Sequence, residues 1–188
     1  MVPPNLVSPG APLRPFAGVG DFGVDALQFA VVALSYDCRV DPITDNSLLL
    51  IRMRELFPPA ISLPGVDMEI CDVDHETGTT TLRFEVSDTR ANQFGSVQGG
   101  VVATLLDACI GIAGAVRSGG MLAMPLAEMN VSFIRPAPSG TLMGSGITTR
   151  LGRKVGFIEA TLFDVDGQIV ARGSGTAIPT PFPDTVAV

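Results

Sequence analysis

Between Ala91 and Val116 the chain carries one charged residue, Asp107, and from Gly99 onward the run is otherwise apolar or small. The apolar positions Val97, Val101, Val102, Leu105, Leu106, Ile110, Ile112 and Val116 fall on nearly every side of a helix. A helix that is apolar all round is enclosed by its own protein or by lipid, not laid on a surface. Asp107 sits mid-run, where a carboxylate would be costly in a bilayer. Strand-like sequence follows at once, so the expectation is a buried helix of a soluble domain and no membrane span. Ser96 is the expected N-cap, and Gly119-Gly120 the expected stop.

The segments on either side decide what encloses this helix. Val66 to Val73 and Thr79 to Val86 flank the polar turn Asp74-His75-Glu76-Thr77-Gly78 and read as a hairpin. After the helix come Ala127 to Ile134, Thr141 to Arg150, Val155 to Asp164 and Ile169 to Ile178. Met129, Val131 and Phe133 fall on one face of the first of these. Asp166-Gly167 marks a tight turn between the last two. Short links make the strands antiparallel, and one buried helix needs a curved sheet around it. The predicted class is α+β: a long central helix wrapped by a curved antiparallel sheet of about six strands. Upstream, Asn46 or Ser47 could cap a short helix over Leu48 to Phe57, stopped by Pro58-Pro59. The expected organisation is an N-terminal extension over 1–45, a domain over 46–180 and a tail over 181–188. The extension is rich in Pro and Gly and holds one short apolar piece, Ala26 to Leu34.

Composition removes several kinds of chemistry. The 188 residues include 12 basic and 19 acidic ones, a net charge of −7, which leaves no basic stripe for nucleic acid. With no Trp and one Tyr, stacking platforms for single strands are not expected. His75 is the only histidine, lies in a polar turn and is expected to be exposed. Catalytic triads built on histidine and multi-histidine metal sites are thereby excluded unless a partner chain contributes, so no metal and no cofactor are expected. Cys38, Cys71 and Cys109 are odd in number and far apart, which fits a reducing cytoplasm better than a disulfide framework. Cys109 is expected to pack as a small core residue. Met121, Met124, Met129 and Met143 are core fillers or the lining of an apolar pocket.

Two features carry chemistry. Asp107 either bonds a neighbouring backbone group or acts as a general base or nucleophile, for which apolar surroundings would raise its pKa. The segment Asn92-Gln93-Phe94-Gly95-Ser96-Val97-Gln98-Gly99-Gly100 either makes a tight turn or leaves backbone amides free to polarise a carbonyl. Gly99 and Asp107 are eight residues apart, about 12 Å along a helix. One helix therefore cannot bring both to the same carbonyl carbon. If both serve one reaction, Asp107 must come from a second copy, which predicts a homodimer with two sites at the seam.

The pattern Asn92, Gly95, Gln98-Gly99-Gly100 and Asp107-Ala108, followed by Glu128-Met129-Asn130-Val131-Ser132-Phe133-Ile134-Arg135-Pro136 and Gly140, resembles the hotdog-fold acyl-CoA thioesterases, most nearly their PaaI-like branch. The resemblance covers about residues 60 to 180. It implies that Asp107 is the carboxylate base or nucleophile and that the Gly99 amide polarises the thioester carbonyl. Asn92 would orient the thioester or water, with Gln98 and Gly100 beside them. It also implies an acyl-CoA partner and a homodimer, with a dimer of dimers as a further assembly. Two departures stand out. Gln98 occupies the place where the family usually has His, and Leu126 the place of a Ser or Thr. A Gln can donate to a carbonyl but cannot carry a proton in turnover. Arg135, Arg150, Arg153 and Lys154 are candidates for the CoA phosphates, the last three as a basic turn in an acidic chain. The competing readings are a hotdog protein that binds an acyl-CoA or another apolar ligand without cleaving it, and a hydratase, which would need a histidine near the helix.

Overall fold

The structure, a computed structural model, describes residues 41–57 and 63–182. The expected N-terminal extension up to residue 40, with Ala26–Leu34, and the tail from residue 183 lie outside the described residues.

Helix α1 (Asn46–Leu56) is capped by Asp45, whose carboxylate accepts from the amides of Ser47 and Leu48 at 2.9 and 3.0 Å. The cap therefore falls one residue before Asn46 and two before Ser47, the caps expected; the Asp side chain reaches two of the orphan donors of the first turn. Leu49, Met53 and Leu56 are its buried face. Arg54 ties it to the sheet, donating through Nε and Nη2 to the Ile70 carbonyl.

Strands β1 (Val66–Asp74) and β2 (Thr79–Val86) form the expected hairpin. Gly78 closes it at φ 65°, and its Cα lies so close to Arg117 and Thr148 that no Cβ fits. A short 3-10 turn (Asp88–Arg90) leads to helix α2 (Gly99–Arg117). Two-residue strand β3 (Leu122–Ala123), then β4 (Leu126–Phe133), β5 (Gly140–Leu151), β6 (Gly156–Phe163), β7 (Ile169–Ala177) and β8 (Thr180–Pro181) complete the described chain. Six strands make one antiparallel sheet in the order β1-β2-β5-β6-β7-β4, and β3 pairs with β8 separately. Residues 164–168 form the turn read from Asp166-Gly167, with Gly167 at φ 74°. The β3–β8 ladder has no counterpart in the sequence reading, because two residues are too short to leave a periodic signal.

The sheet holds α2 tightly because β5 has no side chains where it crosses the helix. A Cβ on Gly144 would sit 2.5 Å from Cys109 Sγ and 2.9 Å from the Phe84 ring, and one on Gly146 would overlap the Cys109 carbonyl. The obstacle at Gly146 is backbone, which cannot rotate away. Gly146→Ala is therefore expected to cost about 3 kcal/mol, at the upper end for overpacking, measured as a fall in the midpoint of urea unfolding.

Two expectations for α2 need correcting. The helix begins at Gly99 with Gln98 as N-cap, not at Ser96, because the Ser96 side chain is taken up inside the preceding loop. Nor is the helix enclosed on every side. Leu105, Leu106, Cys109, Ile110, Ile112, Ala113, Ala115 and Val116 are buried, but Gly100, Thr104 and Asp107 are exposed and Ala103, Ala108 and Gly111 half-buried. These six recur at helical spacing and form one uncovered stripe. The chain alone does not wrap its helix.

Candidate active site

The loop before α2 is braced from both ends by backbone. Val97 donates to the Ala137 carbonyl at 2.9 Å, Gln98 donates to the Arg90 carbonyl at 2.9 Å, and Ala91 and Val97 form an isolated bridge. Asn92 holds the loop from within. Its Oδ1 accepts from the Phe94 amide at 2.8 Å and its Nδ2 contacts Ser96 Oγ at 3.0 Å. Gly95 turns the chain at φ 79°. Asn92 is thus engaged with its own loop, and a role in orienting a substrate would fall to its remaining N–H alone.

This bracket presents a helix start with nothing on it. Gln98 is the N-cap and makes no capping bond with its side chain. Val101 and Val102 both donate to the Gln98 carbonyl, whereas the amides of Gly99 and Gly100 have no acceptor among the described residues. A Cβ on Gly100 would meet nothing within 4 Å. Free first-turn amides at the positive end of a 19-residue helix favour an anion or a polarised carbonyl oxygen.

Asp107 lies two turns further along the same open stripe. The protein around it strips away enough water to hold its carboxyl above the usual carboxylate range, and no other group contributes. It is nevertheless exposed in the single chain, which corrects the expectation of a carboxylate embedded in apolar surroundings. The sheet stops at β4 and leaves that side of the helix uncovered. The stripe brings Gly100 and Asp107 onto one face but keeps Gly99 and Asp107 about 12 Å apart along the axis.

The basic candidates divide between the two ends of the helix. Arg135 follows β4 near the Gly99 end and donates through Nη1 to the Ile169 carbonyl at 2.8 Å. Arg150, near the end of β5, and Arg153 and Lys154, in the β5–β6 turn, are exposed and form no ion pair with described residues. That turn is at the far end, since Thr148 and Arg117 both crowd Gly78. His75 is half-buried, not exposed, because Asn46 of α1 accepts from its amide and packs over the turn. Cys109 is fully buried, and burial pushes its thiol far up, so it packs as the small core residue expected. Met124 is buried against Gly114, Met129 lies half-buried on the inner face of β4, and Met143 is half-buried on the outer face of the sheet.

The sequence reading gave Phe133 no role. Its ring lies 3.5 Å from where a Cβ on Gly99 would be, yet it is 59% exposed. The alternation with Met129 and Val131 was the available signal for its direction; its exposure had none. A concavity of about 470 Å³ lies on the outer face of the sheet, lined by residues such as Asn130, Glu159 and Arg172. It is on the opposite side from α2 and contains none of the candidate residues.

The family model of the thioesterase superfamily matches residues 94–171. A Halobacterium salinarum protein, provisionally named an esterase, is 33% identical over 131 residues, spanning 62% of this chain and 81% of that protein. The chain belongs to the thioesterase superfamily. Among solved structures, a provisionally named thioesterase of Ralstonia eutropha JMP134, a phenylacetic acid degradation-related protein, superposes with a TM-score of 0.56 at 30% identity. The match covers 59% of this chain and 83% of that one. A Streptococcus mutans protein bound to acetyl CoA superposes with a TM-score of 0.56 at 22% identity, over 66% of this chain and 96% of that one. The superfamily's hotdog architecture is the six-stranded sheet and long helix described above. The helix with membrane-like length and composition, Gly99–Arg117, is its buried core helix.

Proposed function

We propose that this thioesterase-superfamily member hydrolyses an acyl-CoA thioester of small or medium acyl group, aliphatic or aryl, at two equivalent sites in a homodimer. The observation that carries the reading is the single open stripe of α2. It has acceptorless amides at Gly99 and Gly100 and, two turns on, a carboxylate held partly dehydrated. The superfamily's name and the acetyl CoA bound by the Streptococcus mutans protein support the substrate class.

In this mechanism the thioester carbonyl oxygen accepts from the Gly99 amide, with Gln98 and Gly100 flanking it. Asp107 of the second copy takes a proton from water as the water attacks the carbonyl carbon. The tetrahedral oxyanion is stabilised by the amide, the C–S bond breaks, and the proton returns to the departing thiolate. The products are the carboxylic acid and the CoA thiol. Direct attack by the Asp107 carboxylate, through a mixed anhydride that water then opens, uses the same two groups. Asn92 acts mainly as a positioning residue for the amide loop.

A pairing that lays Asp107 of each copy against Gly99 of the other runs the two helices antiparallel. The helix then continues ten residues past Asp107, about 15 Å, to Arg117. The second copy's basic turn lies in that direction, where CoA phosphates would emerge. Arg153→Ala with Lys154→Ala is expected to raise KM for an acyl-CoA about ten-fold, with KM for the matching acyl-pantetheine unmoved. Equal effects on both esters would remove the basic turn from the site. Arg135, already engaged with the Ile169 carbonyl, is the second phosphate candidate.

The deciding experiment is release of free thiol from a panel of acyl-CoA esters, alongside the mass of the protein in solution. Thiol release by a dimer or a larger even assembly is expected. Thiol release by a protein that is monomeric in solution would overturn the two-copy site. Tight binding of acyl-CoA without thiol release would favour the alternative, a binding protein. Gln98 motivates that alternative, since it cannot shuttle a proton.

A further inference from the structure

We infer that the inner face of β4 is the wall along which the acyl chain lies, and that Val131 sets the length of chain accepted. This rests on the thioesterase reading above. Side chains of β4 alternate, so Met129, Val131 and Phe133 point towards α2 while Asn130 and Ser132 point to the outer face. On the central strands the inner-facing side chains are sealed: Leu142, Ile158, Leu162 and Ala171 are all within 1% of complete burial. On β4 they are not. Met129 and Val131 are half-buried and Phe133 is exposed, although all three are apolar and face the helix.

In the single chain the inner face of β4 and the open stripe of α2 are both uncovered, and the second copy's helix proposed above would roof the trough between them. Its helix side is lined by nothing larger than Asp107: Gly100, Ala103, Thr104, Asp107 and Gly111. Its mouth is fixed by the contact of the Phe133 ring with Gly99, beside the two amides without acceptors. From Phe133 to Met129 the strand advances four residues, about 13 Å. Beyond that a bulge between Leu126 and Glu128 breaks the register, and Leu126 turns in against Gly175 while Met124 fills the space at Gly114. The proposed path therefore starts at the free amides of Gly99 and Gly100, runs along the apolar inner side of β4 and ends at Leu126 and Met124. An acyl chain whose carbonyl sits at Gly99 has this path open to it. A medium-length unbranched chain fills it, and an acetyl group leaves it empty.

The test is the ratio of kcat/KM for octanoyl-CoA to that for acetyl-CoA. Val131→Phe places a ring midway along the wall and is expected to lower this ratio at least about ten-fold. Met129→Ala deepens the far end and is expected to move the optimum towards dodecanoyl-CoA. Ser132→Phe, the next residue but on the outer face, is expected to leave the ratio where it was. Thermal melting of each variant checks that the fold is retained. If Val131→Phe and Ser132→Phe shift the ratio equally, or neither shifts it while thiol release continues, the wall is elsewhere. If the wild-type protein releases thiol from no ester, it is the thioesterase reading that fails, and this inference fails with it.

Discussion

Asp107→Asn is expected to abolish most thiol release, by about a thousand-fold, the range that loss of a general base commands, and to leave the protein at least as stable as before. The two effects come from one fact. The carboxyl of Asp107 is held above the usual range by dehydration, with no cation or donor to compensate. Burial that raises a carboxyl pKa penalises the charged form in the folded protein relative to the unfolded one. Stability from this group is fully present below the unfolded value, near 3.8, and is lost as pH rises through the folded value. At neutral pH the ionised Asp107 therefore works against folding, and a neutral amide of the same shape relieves that. Melting temperatures of the two proteins at pH 7 should be equal or favour Asp107→Asn, and any gap should close as the pH falls below the folded value. The acid limb of kcat/KM should lie above the ordinary carboxylate range. A clear fall in melting temperature at pH 7, with activity retained, would mean that Asp107 is a structural residue.

The second large effect is expected from Gly99→Pro. Proline removes the amide proton proposed to polarise the carbonyl, and the loss of one such donor costs about a hundred- to a thousand-fold in kcat. The position tolerates proline unusually well. Gly99 is the first residue of α2, where the N–H has no helical partner and a φ near −65° suits the helix. Gln98 before it is at φ −59° and ψ 136°, the extended region that a following proline demands. The added Cβ meets only the Phe133 ring, at an ordinary 3.5 Å. A Gly99→Pro protein with a wild-type melting curve, unchanged KM and kcat down by that factor isolates the amide. Full kcat would show that the Gly99 amide takes no part in the step.

Much of the architecture was legible because the two periodicities differ so sharply. Alternation in Thr79 to Val86 and in Ala127 to Ile134 gave strands in place, and the run from Val97 to Val116 gave the helix. Turns announced by Asp-Gly and Gly-Gly fell where glycine was needed for positive φ, at Gly167 and at Gly119 and Gly120. What failed was local competition and exposure. Ser96 has the chemistry of a cap, but Asn92 claimed its hydroxyl. The uncovered stripe was hidden because Gly, Ala and Thr weigh little in an apolar count, although Gly100, Thr104, Asp107 and Gly111 do recur at helical spacing. Asp107 was read correctly as the singular residue and incorrectly as an engulfed one. Nothing in the order of residues says that a sheet will end one strand short of covering its helix.

The uncapped start of α2 has a consequence for how such a protein can vary. If its free amides receive a carbonyl oxygen as proposed, their aim is owed to Arg90 and Ala137, whose carbonyls hold the loop from outside the helix. Side chains along the stripe and the neighbouring strand can then change with little penalty to the amides themselves. On the proposed reading, such a scaffold can keep one reaction while the substrate it accepts is changed.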